Sequence, residues 1–204
     1  MKLTDKIEVL NMDCMDYIKD IDDNYFDLAI VDPPYGWGEK LKGRNKSGNA
    51  ENWNVSPSKE YFNELLRVSK NSIIWGGNYF DLPKTRCFIV WDKKQPVKQF
   101  ARIELAWTDF EKNSELFEYR YYGNINRENG RFHPCQKPIK LYEWLLDNYA
   151  KPDYKIIDTH LGSGSSAIAA HYYGCEFAGI ELDSDYYNSM IKRFEENTKQ
   201  MKLF

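Results

Sequence analysis

The feature that most constrains this chain is its rhythm: apolar runs of four to six residues alternate with longer stretches whose apolar residues recur at helical spacing. Such alternation predicts an α/β fold, a mostly parallel sheet with helices on both faces. Strands are expected at Ile7–Leu10, Asp27–Val31, Ser72–Trp75, Cys87–Trp91, Ile103–Trp107, Lys155–Asp158 and Glu176–Ile180. Helices are expected at Ser58–Val68, Pro138–Tyr149, Ser165–Tyr173 and Asp183–Asn197. Pro138 suits a first helical position and Gly174 a left-handed stop. Two stretches, 36–56 and 108–133, lack any period and read as long surface loops of the kind that carry function.

A length of 204 residues fits one domain with a substantial core, and 16% aromatic residues exclude wholesale disorder. The four cysteines, Cys14, Cys87, Cys135 and Cys175, are too scattered for a CxxC metal site and too few to staple the chain. A reduced, intracellular protein without metal is expected. No charged-then-apolar leader opens the sequence, and no apolar run approaches the ~20 residues of a membrane helix, so no membrane partner is expected. The net charge of −3 argues against a nucleic-acid partner, yet it hides a distribution. Residues 1–35 carry 3 basic and 9 acidic side chains, 36–56 carry 4 and 2, 84–137 carry 11 and 7, and 138–204 carry 7 and 10. The ends are acidic and the middle is basic.

The run Leu28-Ala29-Ile30-Val31-Asp32-Pro33-Pro34-Tyr35 delivers an Asp at the C-terminal end of an apolar strand, where open α/β sheets place their ligands. Two prolines then hold the backbone stiff. A planar ring with an exocyclic amino group could stack on Tyr35 while its two N–H bonds point at the Asp32 carboxylate and the Pro33 carbonyl. The same residues also fit a strand that ends in a proline-rich turn with a capping Asp. Further on, Asp158-Thr159-His160-Leu161-Gly162-Ser163-Gly164 joins a strand to a small-residue helix, a pattern that lets backbone approach a nucleotide-like ligand. The third glycine of the dinucleotide fingerprint is absent, with Ala167 in its place, and no P-loop Lys follows. Glu181 ends the next strand, well placed for a pair of ribose hydroxyls. Arg131-Phe132-His133-Pro134-Cys135-Gln136-Lys137-Pro138 precedes a helix, whose positive end would favour a carboxylate that Lys137 could pair.

Jointly, D-P-P-Y at 32–35, H-P-x-Q-K-P at 133–138 and D-x-x-x-G-x-G at 158–164 resemble the S-adenosylmethionine-dependent DNA amino-methyltransferases. The order, catalytic motif first and cofactor glycines last, resembles that family's permuted β group. Asn11-Met12-Asp13-Cys14, Trp75-Gly76-Gly77-Asn78, Phe88–Lys93 and Glu104–Trp107 resemble further motifs, with Met12 where the family has Gly. The resemblance implies one domain over residues 1–204 with a circularly permuted class I methyltransferase fold, and S-adenosyl-L-methionine as cofactor. It implies Asp32, Pro33, Pro34 and Tyr35 as the catalytic segment holding a flipped base. It also implies Asp13, Cys14, Gln136, Lys137, Asp158, Leu161, Gly162, Ser163, Gly164 and Glu181 in the methyl-donor pocket. Asp ahead of P-P-Y leans the expectation to adenine N6 in double-stranded DNA. N4-cytosine, RNA adenine and a non-catalytic nucleic-acid-binding relative are the alternatives.

The family usually has Phe where His160 stands, which raises the question of a titratable group beside a sulfonium. Lys40, Lys42, Arg44 and Lys46 in one loop, and Arg120, Arg127 and Arg131 with Tyr119, Tyr121 and Tyr122 in the other, are the expected DNA contacts. With no large recognition insert, the target sequence is expected to be short or read by two subunits, which leaves a homodimer open. By the same resemblance the chain is expected in the cytoplasm of a bacterium, an archaeon or a phage-infected host, as a prophage orphan or as part of a restriction-modification pair.

Overall fold

The computed structural model describes residues 1–36, 55–121, 133 and 135–199. Among these, eight strands form one sheet: β1 (Ile7–Asn11), β2 (Leu28–Val31), β3 (Ser72–Trp75), β4 (Phe88–Asp92), β5 (Ile103–Thr108), β6 (Glu115–Glu118), β7 (Lys155–Asp158) and β8 (Glu176–Glu181). Their order is β1-β8-β7-β2-β3-β5-β4-β6. The first five in that order run parallel, and β5 runs antiparallel to both β3 and β4. Two reversals restore direction, so β4 points the same way as β2 and β3. The C-terminal ends of β2, β3 and β4 therefore lie on one edge of the sheet.

Among the described residues five α-helices cover the faces: α1 (Cys14–Ile18), α2 (Lys59–Val68), α3 (Ile139–Tyr149), α4 (Ser165–Tyr173) and α5 (Ser184–Thr198). All four residues of β2 are buried, as a strand covered on both faces requires. Its side chains alternate between two cores. Leu28 and Ile30 pack with Leu145, Ile168 and Phe194 from α3, α4 and α5. Ala29 and Val31 pack with Ile18 and Leu65 from α1 and α2. No helix among the described residues is long and apolar enough to cross a membrane.

Local chemistry explains where the helices start. Ser58 accepts from the Tyr61 N–H at 3.3 Å, and Asp183 accepts from the N–H groups of Asp185 and Tyr186, so each residue caps the helix it was expected to open. Gly174 ends α4 at φ 87°, as expected. Pro138 does not take the first helical position: at φ −71° and ψ 147° it is the extended cap before Ile139. The larger correction is β6, which lies inside the supposed loop 108–133 and pairs in parallel with β4. In that segment Tyr121 is buried against Trp91, with ring centroids 6.2 Å apart, and so is closed off from DNA, while half-buried Tyr119 stacks on Phe117. Lys40, Lys42, Arg44, Lys46, Tyr122, Arg127 and Arg131 lie outside the described residues.

Candidate active site

A cleft of about 870 Å³ opens at the C-terminal ends of β2 and β7. There the strand order departs in opposite directions, which is where open α/β sheets bind ligands. The volume falls within the ~300–1,000 Å³ of small-molecule sites.

On the β2 side, Asp32 stands one residue beyond the strand, followed by Pro33, Pro34 and Tyr35, all lining the cleft. The Tyr35 hydroxyl donates to Asp32 Oδ1 at 2.8 Å. Lys137 Nζ lies 2.5 Å from Asp32 Oδ2 and 3.1 Å from Glu104 Oε2, and Lys93 pairs with the other Glu104 oxygen. The result is a row of alternating charges, Asp32, Lys137, Glu104, Lys93, with the Lys137 ammonium also 5.3 Å from the centre of the Trp75 ring. Burial pushes Asp32 above its ordinary carboxyl value while Lys137 pulls it back. Burial also raises Glu104, but Lys137 and Lys93 outweigh it and hold that carboxyl at about 2. Lys137 lines the cleft as expected, yet its ammonium is committed to Asp32 and Glu104. No spacing rule shows a contact between residues so far apart in the chain.

Tyr35 is seated by the Trp75-Gly76-Gly77-Asn78 turn. Gly76 has φ +70°, and a Cβ there would lie 2.2 Å from Tyr35 Cε1, so only glycine fits beneath the ring. Tyr79 packs alongside, with ring centroids 5.1 Å apart.

On the β7 side the glycine loop is bound from three directions. Asp158 Oδ1 accepts from the His160 N–H at 3.0 Å and Oδ2 accepts from the Ser166 hydroxyl at 2.6 Å. Glu181 Oε2 accepts from Gly162 N at 2.8 Å and its Oε1 from Asp183 N at 2.9 Å. Arg193 of α5 donates to the Ser163 carbonyl at 2.7 Å and to Ser165 Oγ at 3.0 Å. Leu161, Gly162, Ser163 and Glu181 line the cleft, together with Asp13 and Cys14 at the start of α1. Asp158 and Gly164 sit behind that wall instead. Gly164 is the left-handed cap of α4, where a Cβ would strike Met190 at 2.3 Å. Burial lifts Asp158 to about 7.

Three further residues complete the wall. Gln136 is 4% exposed, and neither polar atom of its amide has a partner among the described residues. An orphaned buried amide costs about 1–3 kcal/mol, which a polar ligand would recover. His160 lies 3.0 Å from Thr159 Oγ1 and edge-on to Tyr61, and burial holds it near 4, so it is neutral at neutral pH. His133 packs edge-on against Tyr186 at 4.5 Å and is likewise held near 4, by burial first and Lys137 second. Tyr186, Tyr61 and Tyr142 line the cleft without having been singled out as site residues, because their helical spacing is also that of ordinary core positions.

A family model described as DNA methylase, covering N6 and N4 enzymes, matches residues 89–193, just over half of the chain. The chain belongs to the N6/N4 DNA methylase family. This methylase is 22% identical, over 244 aligned positions, to the Type II methyltransferase M.HinfI of Haemophilus influenzae, covering 92% of this chain and 68% of that relative. Its fold matches the crystal structure of an M1.HpyAVI–SAM complex at TM-score 0.63 and 19% identity, covering 92% of this chain and 99% of that one. It also matches the cytosine-N4-specific PvuII DNA methyltransferase at TM-score 0.64 and 13% identity, covering 96% and 91%. The architecture is the class I methyltransferase fold, with the permuted motif order read from the sequence.

Proposed function

We propose that this methylase transfers a methyl group from S-adenosyl-L-methionine to the exocyclic N6 of adenine in double-stranded DNA. The observation that carries the reading is the Asp32-Pro33-Pro34-Tyr35 segment facing the glycine loop across one cleft. Bound there, the donor supplies an electrophilic methyl on a cationic sulfur. Gln136, with its orphaned amide, Leu161, Gly162, Ser163 and Glu181 would hold it, with Asp13 and Cys14 at the far side. Asp158 and Gly164 serve by shaping the loop rather than by contact.

Asp32 accepts one N–H of the target amino group and the Pro33 carbonyl the other, which localises the nitrogen lone pair for attack. Lys137 opposes the rise that burial imposes on the Asp32 carboxyl, and Glu104 keeps Lys137 in place. Asp32 need not take the proton before attack, since the nitrogen becomes acidic only as the methyl arrives and water can accept the proton afterward. Holding the partners in near-attack geometry contributes about 7–11 kcal/mol. Extruding the base costs a few kcal/mol, and stacking on Tyr35, worth roughly 1–3 kcal/mol, offsets part of it.

Asp ahead of P-P-Y supports adenine; the fold shared with a cytosine-N4-specific enzyme keeps N4 as the second reading. Incubation with labelled methyl donor and genomic DNA, followed by digestion to nucleosides, tests both. Label in N6-methyladenine is expected, label in N4-methylcytosine overturns the adenine assignment, and label in neither overturns the reaction.

A further inference from the structure

The turn between β4 and β5 emerges on the same sheet edge as Asp32, because β4 runs parallel to β2 and β3. Its base is tied to the catalytic segment through the Lys93–Glu104–Lys137–Asp32 row. Residues 93–103 read KKQPVKQFARI, with four basic side chains and no acidic one. From Pro96 to Ile103 every residue is exposed, including Phe100 at 59%. The segment is nonetheless closed by hydrogen bonds. Gln95, itself buried, donates from Nε2 to the Phe100 carbonyl at 2.6 Å and accepts at Oε1 from Val97 N at 2.8 Å. The Phe100 N–H donates to the Val97 carbonyl at 3.1 Å, and Lys93 N to the Arg102 carbonyl at 3.0 Å. Some of the charge is used locally: Lys94 pairs with Glu118 and Asp92, and Arg102 reaches Asp92 at 3.4 Å while staying 71% exposed. Lys98 makes no ion pair among the described residues.

An exposed aromatic ring on a hydrogen-bonded turn between two cations, at the same end of the sheet as Asp32, fits the grooved, anionic surface of a duplex. Proteins that kink DNA or open its stack do so with such apolar wedges, anchored by phosphate contacts. We propose that residues 96–102 grip duplex DNA beside the cleft, Lys98 and Arg102 on phosphates and Phe100 as the wedge that fills the stack when the target base leaves it. This rests on the DNA-methylase reading and adds a contact surface outside the two loops named from the sequence. A turn already closed by Gln95 loses little entropy on binding, which suits a wedge.

The test measures binding of an end-labelled mixed-sequence duplex over a salt series, with amide hydrogen exchange on the full chain. Replacing two phosphate contacts by Lys98→Gln with Arg102→Gln is expected to lower the slope of log K against log salt by about 1.8 and to weaken binding roughly tenfold. Duplex is expected to protect the amides of 96–102. Phe100→Ala is expected to cut methyl transfer roughly 5–150-fold, the equivalent of one lost stacking contact, with a smaller change in duplex affinity. Lys98, Phe100 and Arg102 are all exposed, and circular dichroism of each variant checks that it folds. A wild-type chain that methylates DNA, with an unchanged slope in the double variant and unprotected amides, overturns the surface and leaves the reaction standing. Concentration-dependent protection of 96–102 without DNA also overturns it, in favour of a second copy of the chain. A wild-type chain that binds no duplex overturns both.

Discussion

Two aspartates end neighbouring parallel strands, face the same end of the sheet, and have opposite surroundings. Asp32, after β2, has a lysine at 2.5 Å and a tyrosine hydroxyl at 2.8 Å. Asp158, at the end of β7, has a serine hydroxyl and a backbone N–H as its hydrogen-bond partners among the described residues. Both are desolvated, which disfavours the anion. Lys137 opposes this at Asp32, whose carboxyl still stays above its ordinary value, while Asp158, with no cation beside it among the described residues, rises to about 7 and ties a strand end to the first turn of α4. The charge of the nearest neighbour, rather than residue type or position along the strand, sets the two carboxyls apart.

The sharpest way to break this contrast is Asp32→Ala, which is expected to lower labelled-methyl transfer to DNA by at least ~10³-fold while calorimetric binding of the donor changes little. An active variant would sink the assignment. Gly76→Ala comes next: its methyl group would occupy the space of the Tyr35 ring, and displacement of that ring is expected to cost roughly 10²-fold in turnover, again with donor binding intact. Removing the cation by Lys137→Met leaves two buried carboxylates facing each other. It should cost roughly 3–5 kcal/mol of stability, and it should raise the Asp32 pKa so that the acid limb of the pH–rate profile moves to higher pH. An unmoved limb would mean that Lys137 does not tune Asp32.

Asp158→Asn should leave turnover within a few-fold and change stability instead. Because the folded carboxyl titrates near 7 against 3.8 in its ordinary state, the native chain holds that proton longer. The group's contribution to stability is therefore present below pH 4 and declines as pH rises to about 7. Urea denaturation between pH 5 and 8 should show the Asn variant gaining on the wild type across that interval and levelling above it. The smallest effect is expected at His160. With its pKa near 4, donor affinity should be flat from pH 5.5 to 8, and a step near pH 6.5 would restore it as a functional titration.

Most of the sheet was legible because buried parallel strands are continuous apolar runs; Lys155–Asp158 and Ser72–Trp75 were read to the residue. β6 was not, for a physical reason: Glu-Leu-Phe-Glu is an edge strand that leaves both glutamates and Leu116 exposed, so it carries little apolar alternation. At the site, D-P-P-Y and the glycine loop were visible as local motifs. The Lys137–Asp32 pair and the Gly76–Tyr35 seat depend on how the sheet brings distant segments together. Asp158 misled, since a strand-end carboxylate reads alike whether it faces a ligand or a serine.

The pairing of β1 with β8 has a consequence for synthesis. Ile7 finds its partner only when Phe177 exists, and the glycine loop receives Arg193 later still. A nascent chain therefore carries its first strand unpaired through most of translation, and the segment bearing Asp32 is complete long before the wall across the cleft. Contacts this distant in sequence make folding slow, and they ensure that an unfinished chain presents no assembled donor pocket.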